Sequence, residues 1–404
     1  MAKTNRKIKF NILAYNFPPV GRSGSLRNLF YSDYFSKKGW EVKVFCPKNP
    51  HSQYYTIDQS LNSKIPKKIT VKRFELINTS CYLNYIPYRI LHIMPDAHPS
   101  WQKQATKNAC EIGDCDALLV SIPPASSLLG LEKIIQKNKP KIVIADFRDP
   151  WTSLLLREKG GNFVRKKMVK HWVKKEKEIL AKVDFILVTS ELQKKWLLKD
   201  FSNINKNKVF VVYNGVFNPK RKTKKRKDNK IKIIYTGGFA ASQGLDFLFD
   251  LMPKLNNIEF HFAGAVHNAA MARIDKIKNA FFHGYLPREK LFKLKEKMDF
   301  GIAALTEEYK YAVPAKIFEY LECNLPVLGI LPKDGAAAQI IKKDKIGKLI
   351  NTNNQLEKNL TQFLNKINKK EIELYRKNVI KAKEKYSREN QAKIIQSLIL
   401  KNIK

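Results

Sequence analysis

Acidic residues are scarce in this chain. Asp and Glu number 36 against 76 Lys and Arg over 404 residues, a formal net charge of +40. Such a surplus admits nucleic acid, an anionic membrane surface or an anionic substrate as partner, and the excess of Lys over Arg also fits a biased base composition in the gene. Other absences narrow this. No zinc-knuckle spacing or RNA-binding signature occurs, and the lysines are spread along the whole chain, so no specific nucleic-acid partner is expected. Cysteine is limited to Cys46, Cys81, Cys110, Cys115 and Cys323. That odd, scattered set offers neither a disulfide framework nor a metal knuckle and fits a reducing cytoplasm. No apolar run reaches the roughly 18 residues of a membrane span. The start, MAKTNRKIKFNILAYNFPP, is charged but has no apolar leader core. The G-x-G-x-x-G dinucleotide fingerprint is also missing.

What is present is ample core material. Hydrophobic residues make up 44% and aromatics 11% of the chain, and the length suits two domains of roughly 150–200 residues each. Short apolar runs alternate with helical patterns. Ile8–Tyr15, Glu41–Phe45, Ala117–Ser121, Lys141–Asp146, Phe185–Thr189 and Val209–Tyr213 read as strands, and Leu26–Lys38 as a helix ended by Gly39. After the entirely polar KRKTKKRKDNK of Lys220–Lys230 the pattern restarts. Lys232–Thr236, Glu259–Ala263, Phe300–Ala304 and Val327–Ile330 read as strands, Leu245–Leu255 as a helix, and Glu371–Ile403 as helix broken near Tyr386-Ser387. Strands separated by helices imply right-handed crossovers and parallel sheets. The expected class is α/β, with two doubly wound Rossmann-like domains facing each other across a cleft. The expected division is 1–218 for the first domain, 219–230 for a basic linker, 231–385 for the second, and 386–404 for a helix returning to the first. Ligands of such folds bind beyond the carboxyl ends of the strands.

Several constellations fall at those ends. Gly21, Arg22 and Gly24 lie in the turn after the first strand, where backbone can approach an anion at a helix start; a loop without ligand contacts is the alternative. Arg27, in the following helix, is either a ligand contact or a surface charge. Asp146, Arg148 and Asp149 in DFRDPW suit hydroxyl recognition or the placing of a base, or else a local ion pair. In the second half, Gly237-Gly238 ends a strand where a phosphate would sit. In VPAKIFEYL, Pro314 suits the first turn of a helix. The amides around Pro314, Ala315 and Lys316 would then be free, Lys316 would add a cation, and Glu319 could accept two hydrogen bonds from vicinal ribose hydroxyls or simply complement the helix dipole. Asp114-Cys-Asp116 matches a D-x-D metal motif, but it precedes a strand and reads as a solvated turn. His283 lines a base pocket or is a satisfied structural histidine. Val164, Met168, Val169, Trp172, Val173, Ile179 and Leu180 form one helical stripe, with Arg165 and lysines opposite. This face either packs on its own domain or lies on an anionic membrane.

Taken in order, NFPPVGRSGSLR, SIPPASSLLG, IADFRDPW, VDFILVTS, VYNGV, IIYTGGFAASQGLDFL, FHFAGA, FHGYLPREKL and VPAKIFEYLECNLPVLG resemble the retaining glycosyltransferases of family 4, which have the GT-B fold. The resemblance spans almost the whole chain, and the nearest look-alikes build bacterial capsule, O-antigen or other envelope polysaccharides. It implies a cytoplasmic enzyme, peripheral on the inner membrane face, that moves a sugar from a UDP- or GDP-sugar to a saccharide or lipid-linked acceptor with retained configuration. No cofactor and no obligatory metal are implied. Under it, Glu319 holds the ribose. Gly237, Gly238 and the amides of Pro314–Lys316 hold the diphosphate, and Gly284-Tyr285 contacts the base. Gly21, Arg22 and Gly24 close over the diphosphate or acceptor. Lys316, Asp149 and Arg148 are the catalytic candidates. The chain departs from the family pattern in two ways: Tyr311 stands where a Glu is common, and Phe239 or Ala240, and Gln243, stand where an Arg and a Lys are common. A sugar-nucleotide 2-epimerase shares the GT-B fold, and a chain that had lost catalysis would remain a basic membrane-surface or nucleic-acid-binding scaffold.

Overall fold

The computed structural model describes residues 6–21, 23–50, 57–77, 95–96, 98–158, 162–221, 230–238, 243–264 and 268–403. The chain forms two compact units, Met1–Val212 with Ala392–Lys404, and Tyr213–Gln391. These boundaries lie a few residues from the sequence-drawn 218 and 386. Most of the basic stretch 219–230 lies outside the described residues, as does Arg22.

In the first unit the chain runs β1 (Lys9–Leu13), α1 (Ser23–Lys37), β2 (Glu41–Pro47), β3 (Thr70–Phe74), α2 (Pro99–Lys107), α3 (Ala109–Gly113), β4 (Ala117–Ile122), α4 (Ala125–Lys137), β5 (Ile142–Phe147), α5 (Thr152–Leu155), α6 (Phe163–Lys182), β6 (Phe185–Val188), α7 (Glu191–Asp200) and β7 (Val209–Val211). The strands form one sheet in the order β3-β2-β1-β4-β5-β6-β7, parallel at every ladder. Its central strands are buried on both faces, so they read as continuous apolar runs. Leu13, Val120, Ala145 and Val188 point into one core. Phe10, Ile12, Leu119 and Ile144 point into the other, which Ala392, Ile395 and Ile399 from the end of the chain complete.

The second unit runs β8 (Ile231–Thr236), α8 (Leu248–Leu251), β9 (Ile258–Ala263), α9 (Asn268–Ile274), β10 (Ala280–Phe282), α10 (Arg288–Lys295), β11 (Phe300–Ala304), α11 (Ala315–Glu322), β12 (Val327–Leu331), α12 (Ala336–Asp344), β13 (Gly347–Asn351), α13 (Leu356–Lys366), α14 (Lys369–Lys385) and α15 (Arg388–Asn402), the last passing into the first unit. Its sheet is ordered β10-β9-β8-β11-β12-β13 and is also parallel throughout. The expected helix over Leu245–Leu255 contracts to α8 and a 3-10 turn at Met252–Lys254. Pro253 has no backbone N–H to continue an α-helical ladder.

In each sheet the strand order reverses once, between β1 and β4 and between β8 and β11. Those reversals open a crevice at the carboxyl ends, where such sheets bind ligands.

Candidate active site

The carboxyl-end turns of the second unit are built from touching glycine backbones. Gly237 (φ +113°) donates its N–H to Ala263 O at 2.8 Å, and Gly264 (φ +138°) donates to Gly284 O at 2.9 Å. A Cβ on Gly264 would lie 2.6 Å from Gly237 O, so no side chain fits there. Three turns therefore stack at backbone distance, leaving Gly237 and Gly238 exposed to solvent. Tyr235 donates its hydroxyl to Gly238 O at 2.9 Å and fixes the first of them.

α11 delivers Lys316 to this place. Pro314 precedes its first residue, and no side chain among the described residues caps the helix, so its leading N–H groups and the positive end of its dipole stay available to an anion. Lys316 Nζ lies 3.8 Å from the centre of the Tyr235 ring and 3.7 Å from where a Gly237 Cβ would stand. Burial pushes this ammonium down to about 7, Lys295 adds like-charge repulsion, and Glu319 only partly opposes the two. An underprotonated lysine beside a glycine turn and an uncapped helix start gains most when an anion arrives. Below, Tyr320 is buried and donates to Ile302 O at 3.0 Å. Its ring fits only because Gly301 has no Cβ, which would come within 2.6 Å of it.

Glu319 is one turn further on. Its partner, Lys295 from α10, was not singled out from sequence: its side chain is 1% exposed and Nζ lies 2.6 Å from Glu319 Oε2, while the Glu319 side chain is 43% exposed. Burial raises the Glu319 carboxyl, but Lys295, together with Arg288 and Lys316, more than offsets it, and the group sits below its usual range. One carboxylate oxygen is thus taken from within and the side chain remains open to a ligand. The only hint of Lys295 was its helical position three residues after buried Phe292, among outward lysines. Thr306, also missed, follows β11; its Oγ1 is buried with no hydrogen-bond partner among the described residues, and its Cγ2 lies 3.2 Å from a Cβ built on Gly244.

Tyr311, at the position where the family pattern has Glu, is a core residue. Tyr285 projects outward, 77% exposed. His283 Nε2 lies 2.9 Å from His261 Nδ1, so it is satisfied by a second ring. A cavity of about 450 Å³ at the β13 edge is lined by residues such as Asn351, Asn359 and Phe363, and shares none with this site.

In the first unit, DFRDPW divides. Asp146 is fully buried and bound by Arg27 through Nε at 2.9 Å and Nη2 at 2.8 Å; the same Nη2 reaches Val212 O at 3.0 Å. Arg27 is therefore neither a ligand contact nor a surface charge, since it braces the sheet from within. Arg148 donates from Nη2 to Pro123 O at 2.6 Å, and a Cβ on Gly24 would fall 1.7 Å from its Nη1. Gly24 is accordingly not in a loop. It is a buried residue of the first turn of α1 whose missing side chain admits Arg148. Gly21 is in the exposed turn before it. Asp149 is half-buried and accepts no hydrogen bond from the described residues. Burial raises its carboxyl despite Arg148. The turn is held from α6, where buried Glu176 accepts from both the N–H and the hydroxyl of Thr152 and is pushed up to about 7 by burial.

Asp116 is not solvated either. It is buried and accepts the Lys9 N–H at 2.9 Å, a brace at the amino end of the sheet. Among the described residues no cluster of three or more His, Cys, Asp or Glu could hold a metal ion, and no helix is long and apolar enough to cross a membrane.

Comparison with known proteins agrees with this fold. Residues 31–217 match the Glycosyltransferase Family 4 model, and residues 233–393 match the C-terminal domain of glucosyltransferase 3-like proteins. The chain is a glycosyltransferase of the GT-B fold. No curated protein matches this glycosyltransferase by sequence. A glycosyltransferase of Rickettsia africae is 14% identical, with 98% of this chain and 99% of that one covered and a TM-score of 0.66. Anabaena HepE, solved with UDP, is 12% identical, with 98% and 100% covered and a TM-score of 0.69. The lipopolysaccharide outer core galactosyltransferase WaaB is 13% identical, with 98% and 99% covered and a TM-score of 0.61.

Proposed function

We propose that this glycosyltransferase takes a sugar from a nucleotide-sugar donor and transfers it, with retention of anomeric configuration, to a saccharide or lipid-linked acceptor in cell-envelope polysaccharide synthesis. The observation that carries the reading is the meeting of Lys316, the Gly237-Gly238 turn and the uncapped start of α11. Together they offer an ammonium, free amides and a glycine surface to a diphosphate. Glu319, with Lys295 on one oxygen, accepts from the ribose. Gly284-Tyr285 serves the base, and Gly21 serves the diphosphate or acceptor. In the first unit, Arg148 and Asp149 serve the acceptor. HepE was solved with UDP and WaaB is named for the lipopolysaccharide outer core, which supports the donor class and the envelope setting.

Cleaving the anomeric C–O bond builds negative charge on the departing diphosphate. Lys316 and the α11 amides are fixed where that charge develops, and such preorganised donors lower the barrier. They do so without a resident metal. The acceptor hydroxyl attacks the face the diphosphate is leaving, and its proton passes to a departing phosphate oxygen. This returns the new bond to the original face.

Kinetics with UDP- and GDP-sugars, with products followed by NMR, tests the reading. Glu319→Ala should raise the donor KM about tenfold or more, the worth of hydrogen bonds to a charged group. Lys316→Ala should lower kcat about 100-fold. Near-normal constants in both variants, or an epimerised nucleotide sugar as product, would remove the proposal.

A further inference from the structure

The amphipathic stripe of α6 docks only in part. Val169, Ile179 and Leu180 are buried, and Trp172 and Val173 are half-buried against the domain. Lys175 and Lys182 reach in to Glu132 at 2.7 and 3.3 Å. Helical spacing of 100° per residue puts Phe163, Lys166, Lys167, Lys170, His171, Lys174, Lys177 and Glu178 on the opposite side, all exposed. The five lysines of this face pair with no described acid. At its amino end Phe163 is 79% and Val164 45% exposed, among the more exposed large apolar side chains of the chain. Leu156 is 47% exposed on the segment that Glu158 ties to this first turn through Arg165.

A merely solvated face would carry the lysines without an aromatic tip. A purely electrostatic surface for phosphates would have no use for Phe163, Val164 and Leu156. A bilayer interface receives both, because headgroup phosphates meet the ammonium row and the boundary with the acyl chains takes the apolar tip. We propose that the outward face of α6 is a docking surface for an anionic lipid bilayer, with Phe163 and Val164 entering the interface. The row from Phe163 to Lys177 extends about 21 Å at 1.5 Å per residue, long enough to lie along a membrane. This inference does not rest on the donor chemistry, so it can fail while nucleotide-sugar binding stands.

The full chain is sedimented with phosphatidylcholine vesicles containing or lacking about one-third phosphatidylglycerol. Binding to the anionic vesicles alone is expected. Replacing Lys166, Lys167 and Lys170 together by Gln should weaken it about 100-fold, near fivefold per lysine. The equally exposed Lys358, Lys370 and Lys377, changed to Gln in the second unit, should leave it within about threefold. Phe163→Ser, which removes no charge and no packed side chain, should weaken it about tenfold. Equal losses from the two lysine triples would show that net charge alone attracts the vesicles, and the proposal fails. It also fails if Phe163→Ser binds like the wild type, or if the α6 triple abolishes binding to a single-stranded oligonucleotide while vesicle binding is unchanged.

Discussion

Lys316 should make donor binding take up a proton. In the free protein its ammonium is held down to about 7 from an ordinary 10.5. At pH 8 roughly nine-tenths of the molecules therefore carry it neutral. A diphosphate placed against Lys316 Nζ would restore the charged form. The second ionisation of a phosphate lies near 6, so at pH 8 UDP is fully charged and adds no proton of its own. Calorimetry of UDP binding at pH 8, in buffers of different ionisation enthalpy, should report about 0.9 proton taken up. Affinity should fall close to tenfold per pH unit above 7.5. At pH 6.5 about three-quarters of the molecules already carry the charge, and the roughly quarter-proton still on the phosphate offsets the rest, so net uptake should largely vanish. Lys316→Ala should flatten the dependence and weaken UDP at pH 6.5 about 10- to 100-fold, the range for a charge-assisted hydrogen bond. Without ligand, the unfolded chain binds the extra proton between about 7 and 10, so this group makes the fold more stable as pH rises through that range. Zero uptake by the wild type at pH 8, or uptake surviving in Lys316→Ala, would refute the assignment.

Two further predictions concern the first unit. Arg27→Met strands the buried Asp146 carboxylate and should cost about 3–5 kcal/mol, a fall in Tm of roughly 6–20 °C. The double change Arg27→Met with Asp146→Leu should recover much of it, and a single variant as stable as the wild type would show the pair to be dispensable. Glu176, raised to about 7, is protonated in the fold but ionised in the unfolded chain between pH 4.5 and 7. Its stabilising contribution is present below 4.5 and lost as pH rises through 7. Glu176→Gln should therefore unfold like the wild type at pH 5 but be up to about 3 kcal/mol more stable at pH 8, as measured by thermal unfolding at both pH values.

The central strands were legible because burial on two faces forces an unbroken apolar run. Ala117–Ile122 and Ile142–Phe147 are buried at every position. The edge strands β3 and β13 were not, since half-exposed sequences such as TVKRF and GKLIN mix lysine and arginine with apolar residues. In the candidate site, VPAKIFEYL was readable through local physics: a proline suited to a helix start, then Lys316 and Glu319 within one turn. Arg27 was ambiguous because its partner lies 119 residues away. Lys295 was hard to see because only its spacing from Phe292 sets it apart from the neighbouring lysines, and its partner Glu319 lies on another helix.

By itself the sequence determined where chain segments are buried, where they turn, and which turns present glycine or a helix start, since each follows from the side-chain period and backbone freedom of adjacent residues. Only the tertiary structure decided which charges are paired. It put Asp146 under Arg27, Glu319 on Lys295 and Lys316 over Tyr235. Charge pairing depends on distances of a few ångströms between residues far apart in the chain, and those distances exist only once the sheets and their crossovers have formed.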